Sequence, residues 1–149
     1  MLDEIKALVE DHSITIVTGP ACSGKTWLIS NFRDESYLID NKSEAISSGN
    51  GSISLSQFLE ASTTNKKFVA IDEAQLIKGH QLIELAKLLL DRGQKVIIAC
   101  QTVEFIPILE LVGFCEHMND VSIAHIALDG WDDSTAHPTS FKLWPLISK

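Results

Sequence analysis

Eight consecutive residues, Gly19-Pro20-Ala21-Cys22-Ser23-Gly24-Lys25-Thr26, fit the pattern G-x-x-x-x-G-K-[ST] at every fixed position. The chemistry open to such a run is phosphate binding. Glycine removes the Cβ that would keep a backbone away from phosphate oxygens. Successive N–H groups and a helix beginning at Lys25 then face the anion. Lys25 adds a cation for the β- and γ-phosphates, and the Thr26 hydroxyl is a ligand for Mg²⁺. A second run, Phe68-Val69-Ala70-Ile71-Asp72-Glu73, carries four apolar residues into two carboxylates, the Walker B pattern. Asp72 is expected beside Mg²⁺, directly or through water. Glu73 is expected toward the γ-phosphate, where a base acts on water or on a substrate hydroxyl. The bland alternative for the acidic pair is a helix N-cap, but each of the two motifs predicts the other. The expected ligands are therefore ATP and Mg²⁺. Lys25 and Glu73 are the candidate catalytic residues, Thr26 and Asp72 the candidate metal ligands, and Gly19 through Thr26 the phosphate cradle.

Weaker signals surround these. Gln101 and Thr102 follow an apolar strand candidate, so Gln101 either touches the γ-phosphate or helps cap the next helix. Gln75 either senses nucleotide or packs on its loop. Cys22 lies within the phosphate loop, where a helix N-terminus can lower a thiol pKa, or it is a small filler. Cys115, His117 and His125 are too few and too poorly spaced for a metal site. An N-K-x-D base motif is missing, since Asn41-Lys42 runs into Ser43-Glu44, and this favours ATP over GTP.

The elements that must position these groups can be read from periodicity. Residues 13–18 are β-branched and apolar, a buried strand leading into the phosphate loop, and residues 25–32 read as the helix that leaves it. A helix is expected over 2–10, a strand over 36–39, a polar surface loop over 41–53 and a Ser54-capped helix over 54–61. Strands over 67–72, 95–100 and 121–128 alternate with helices over 79–91 and 104–112, with Pro107 tolerated in a first turn. Residues 129–149 read as an irregular tail carrying two tryptophans, which either packs on the domain over 1–128 or docks a partner. Alternating strands and helices predict an α/β fold: a mostly parallel sheet with helices on both faces, the three-layer P-loop NTPase sandwich. Ligands in such sheets sit at the carboxyl ends of the strands, where both motifs fall.

Composition narrows the classes. The chain has 149 residues, enough for one core. Twenty acidic against 12 basic residues give a net charge of −8, which argues against strong nucleic-acid binding. Met1-Leu2-Asp3-Glu4 lacks a signal-peptide pattern and no segment is long and apolar enough for a membrane span. Three scattered cysteines suggest a reducing compartment, so the expected location is cytoplasmic.

Taken with Gly19-Pro20-x-x-Ser23-Gly24-Lys25-Thr26, the stretch Asp72-Glu73-Ala74-Gln75 resembles the thymidine kinase family with a RecA-like core. Arg92 through Cys100, Phe105 and Asp120-Val121 extend the likeness over roughly residues 13–128. The resemblance implies an ATP site, with Glu73 as base for a nucleoside 5′-hydroxyl if the chain is a kinase. The chain departs from that family in lacking C-x-x-C zinc pairs, the lasso over the base and the aspartate-arginine pair after the third strand. Three functions follow as expectations: a Mg²⁺-dependent ATPase acting on a protein partner or on its own oligomer, a small nucleoside kinase, or a nucleotide-binding module without turnover.

Overall fold

The computed structural model describes residues 2–20, 23–40, 54–138 and 141–147. The expected loop over 41–53 lies outside the described residues, as do Ala21 and Cys22 of the phosphate loop. In chain order the main elements are α1 (Leu2–Asp11), β1 (Ile14–Thr18), α2 (Lys25–Ser30), β2 (Ser36–Asp40), α3 (Leu55–Thr63), β3 (Phe68–Asp72), α4 (Gly79–Asp91), β4 (Lys95–Cys100), α5 (Ile106–Glu116) and β5 (Ile123–Leu128). A small hairpin follows, β6 (Trp131–Asp132) with β7 (His137–Pro138), and then β8 (Phe141–Ile147).

Six strands form one sheet in the order β2-β3-β4-β1-β5-β8. The first five pair in parallel, and β8 pairs antiparallel with β5 at the edge. The expected α/β architecture is therefore present. β1 and β3 are buried at every position, which fits their β-branched and largely apolar composition.

Side-chain alternation divides the core in two. Ile14, Ile16, Val69, Ile71, Val96 and Ile98 point to the face covered by α3, α4 and α5. Val17, Phe68, Ala70, Ile97, Ala99 and Ile126 point to the face covered by α1 and α2. Helices thus lie on both faces. Each fully buried Ile, Leu or Phe contributes about 1.5–3 kcal/mol, and this two-sided burial makes the sheet a rigid frame for the loops at its carboxyl edge.

Local signals hold at the helix ends. Ser54 caps α3, its hydroxyl accepting the Gln57 N–H at 3.2 Å, and Pro107 sits in the first turn of α5. The tail departs from expectation: residues 141–147 are not irregular but extend the sheet as an edge strand. Pro145 there lacks the N–H that a central strand needs, and edge positions are where proline is tolerated. A register shift beside Ile123 and Ala124 further hides the strand from a periodicity test. Among the described residues, no helix is long and apolar enough to cross a membrane.

Candidate functional site

The site is built where β1, β3 and β4 end. β4 lies between the other two, so the loop after β1 and the carboxylates after β3 face each other across its end. Gly24 adopts φ 104°, a left-handed conformation open to glycine. Its missing side chain matters too, because a Cβ there would lie 3.0 Å from the Trp131 ring and 3.1 Å from Pro138. A Cβ on Gly19 would lie 2.7 Å from the Leu128 carbonyl oxygen. Both fixed glycines therefore serve close packing of the loop as well as its turn.

Lys25 and Thr26 open α2. Lys25, the cation expected at the β- and γ-phosphates, is buried here, and its Nζ donates to the carbonyls of Gly19 at 2.5 Å and Pro20 at 3.0 Å. A charged amine in a loop rich in carbonyl oxygens satisfies itself locally, because leaving it unpaired away from water is costly. Ser23 is also buried, and its hydroxyl has no hydrogen-bond partner among the described residues.

Thr26 Oγ1 donates to Asp72 Oδ2 at 2.9 Å, joining the two motifs directly. Asp72 Oδ1 accepts the Glu73 backbone N–H at 2.9 Å. Burial pushes the Asp72 carboxyl above its usual range, the nearby charges of Glu73 and Asp40 add to that, and the two hydrogen bonds oppose it. Asp40 sits opposite Asp72 in the β2–β3 register. Sequence reasoning passed over Asp40, although Leu38-Ile39-Asp40 repeats the pattern of Ala70-Ile71-Asp72, an apolar strand ending in a carboxylate. The residues fit a Mg²⁺ ion: a hydroxyl and a carboxylate, both hard oxygen donors, already meet, and the buried negative charge at Asp72 is what a cation would relieve.

Glu73 has φ 52°, ψ 46°, a left-handed conformation unusual for a residue with a side chain. It precedes a short 3-10 turn over Ala74–Leu76, and its side chain makes no capping bond there. The capping alternative for the acidic pair is thus not what this geometry uses. Glu73 Oε2 instead accepts a short hydrogen bond from Gln75 Nε2.

The other candidates separate. Gln101 is exposed just beyond β4, while the Thr102 hydroxyl accepts the Glu104 N–H at 3.2 Å in the turn before α5. Burial pushes the Cys100 thiol up to about 11, against smaller opposing effects of the Thr102 backbone and the Lys25 charge, so this thiol is inert. Cys115 is in the core, and no group of three metal-binding side chains occurs among the described residues. His125 Nε2 lies 2.6 Å from Thr18 Oγ1, directly below the phosphate loop, and burial lowers its pKa. A groove of about 590 Å³ is lined by Ser13, Gly93, Lys95 and Asp120, at the opposite end of the strands.

A parallel sheet in this order, with a glycine loop after β1 and carboxylates after β3, defines the P-loop NTPase fold. The solved structures agree on the fold. A Walker-type ATPase from Pyrococcus abyssi superposes with a TM-score of 0.60 at 17% identity, over 90% of this chain and 53% of that one. The replication initiator DnaA, bound to AMPPCP and single-stranded DNA, gives 0.51 at 11% identity, over 90% and 46%. The chain thus spans about half the length of these two structures. No family model matches the chain, and no curated protein matches it by sequence.

Proposed function

We propose that this chain binds ATP with Mg²⁺ and hydrolyses it, in the service of a protein partner or of its own oligomer. The observation that carries the reading is the Thr26–Asp72 hydrogen bond. It brings a phosphate-loop hydroxyl and the acidic strand end within ligand distance of one another, across a separation of 46 residues. The two ATPase-fold neighbours support the same class, and the DnaA structure holds an ATP analogue. That structure also holds single-stranded DNA; the net charge of −8 weighs against extending DNA binding to this chain.

In this reading each residue of the site takes one role. Backbone N–H groups from Ser23 to Thr26 donate to phosphate oxygens, and Lys25 leaves the Gly19 and Pro20 carbonyls for the β- and γ-phosphates. Thr26 and Asp72 would hold Mg²⁺, which when bound neutralises developing phosphate charge. Glu73 accepts the proton of the water that attacks the γ-phosphorus, and ADP leaves. In this reading Gln101, exposed just beyond β4, meets the γ-phosphate. The cytoplasmic assignment remains part of this proposal.

The thymidine kinase resemblance suggests a second acceptor, a nucleoside hydroxyl in place of water. One assay addresses both: Mg-ATP turnover by the purified chain, then with a nucleoside panel. Release of phosphate that falls to a small residual rate in Glu73→Gln supports hydrolysis. Nucleoside-dependent ADP formation without free phosphate would replace it with the kinase. Binding of ATP without turnover under any of these conditions would leave only a nucleotide-binding module.

A further inference from the structure

Two local costs sit side by side at the end of β3. Glu73 holds a left-handed backbone despite its side chain. Gln75 places its amide so that Nε2 meets Glu73 Oε2, while its Oε1 is closed off from solvent with no hydrogen-bond partner among the described residues. Buried polar atoms are nearly always paired, and strained backbone persists only where the surroundings over-determine it. Here they do. Leu76 N–H donates to the Glu73 carbonyl at 3.0 Å and Ile77 N–H to the Ala74 carbonyl at 3.2 Å. Ala74 and Ile77 are anchored in the core behind the sheet's carboxyl edge. The 3-10 turn is therefore a fixed mount that holds the Glu73 backbone, and the unpaired Gln75 Oε1 is the cost it leaves unaccounted for.

The orientation of the amide follows from charge. A carboxylate only accepts hydrogen bonds, so the amide must present its NH₂ group to Glu73 and leave its carbonyl elsewhere. The result is a carboxylate tied by one oxygen. Glu73 Oε1 takes no hydrogen bond from a described residue, and the residue is only partly buried. One oxygen fixed and one oxygen free is the arrangement a general base requires, since proton abstraction depends on geometry before basicity.

We propose that Gln75 is a positioning residue that holds the Glu73 carboxylate by Oε2 so that Oε1 meets the attacking water. The inference rests on the hydrolytic reading of the same site. Gln75 touches neither nucleotide nor water in this role; it acts through Glu73.

The test is a double-mutant cycle on the full chain with Glu73→Gln, Gln75→Leu and the double variant, each checked for folding by circular dichroism. ATP affinity is measured by calorimetry and phosphate release at saturating Mg-ATP. Gln75→Leu is expected to lower kcat roughly 10- to 100-fold with ATP affinity unchanged. Added to Glu73→Gln it is expected to change nothing further, because coupled residues are non-additive. Should Gln75→Leu fail to fold, Gln75→Met keeps the chain length and removes the donor without adding charge, and the same loss is expected. Wild-type kcat in the Gln75 variants, or an equal loss in both backgrounds, would overturn this inference while leaving the hydrolytic reading intact. A wild-type chain without turnover would overturn that reading and this inference with it.

Discussion

The Thr26 hydroxyl reaches across the end of the sheet to Asp72, 2.9 Å away, although the two lie 46 positions apart in the chain. That contact ties helix α2 to strand β3 and concentrates oxygen donors where a divalent cation would sit. It also keeps a carboxylate in a buried place whose cost shows as a raised pKa. A function is thereby set against stability at a single residue.

Asp72→Asn is expected to melt at a higher temperature than the wild type at neutral pH while losing Mg²⁺-dependent turnover. The raised carboxyl means that the folded state binds the proton more tightly than the unfolded one. Folded stability therefore falls as pH rises from the ordinary value of 3.8 through the raised one. Asparagine removes that penalty and can satisfy both partners, its oxygen accepting from the Glu73 N–H and its NH₂ donating to Thr26. Melting curves at pH 4 and pH 7 check this; a gain at pH 7 that shrinks toward pH 4 is expected, and a lower melting point at pH 7 would contradict the account.

Lys25→Ala is expected to weaken ATP binding at least tenfold and also to destabilise the nucleotide-free chain. The second effect comes from the two donations to Gly19 and Pro20, with hydrogen bonds to charged groups contributing roughly 1.5–3 kcal/mol. Calorimetric titration and urea unfolding measure the two separately. Wild-type ATP affinity in this variant would remove the phosphate-loop assignment.

Gly24→Ala is expected to impair the loop through its neighbour as well as its backbone. The added Cβ meets the Trp131 ring at 3.0 Å in a conformation alanine disfavours. Trp131 in turn stands edge-on to Trp27, with ring centroids 6.1 Å apart. Trp131→Ala should therefore relieve part of the Gly24→Ala defect, visible as a smaller loss of melting temperature in the double variant than the sum of the singles. Additive losses would show that strain at φ 104° alone is responsible. Because two tryptophans border α2 and the phosphate loop, ATP addition should also change intrinsic fluorescence, and less so in Trp131→Ala.

Turnover by the isolated chain is expected to be slow and to rise with protein concentration or partner. An arginine at the γ-phosphate commonly contributes ~10³–10⁵ in rate, and both arginines of this chain stand at the wrong end. Arg33 lies in the turn that leads into the first residue of β2. Arg92 follows α4 and donates to the carbonyls of Ser62 and Thr64, before β3 begins. Both belong to the amino ends of the strands, opposite the phosphate loop. Phosphate release across a hundredfold range of protein concentration checks this; a fast, concentration-independent rate in a verified monomer would show that Lys25 and Mg²⁺ suffice.

What the residues determine by themselves is local. A β-branched run before Gly19, an apolar run before Asp72, and helical periodicity between strands are each written in neighbouring positions, so β1, β3 and the layered α/β fold were legible without coordinates. Tertiary structure decided what depends on partners far along the chain. It set β4 between β1 and β3, brought Asp40 opposite Asp72, and turned Lys25 onto its own loop. It drew residues 141–147 into the sheet against β5 and laid Trp131 on Gly24. In each case the residue's own type permits several environments. The choice among them is made by hydrogen-bond partners and excluded volume that exist only once the sheet has closed.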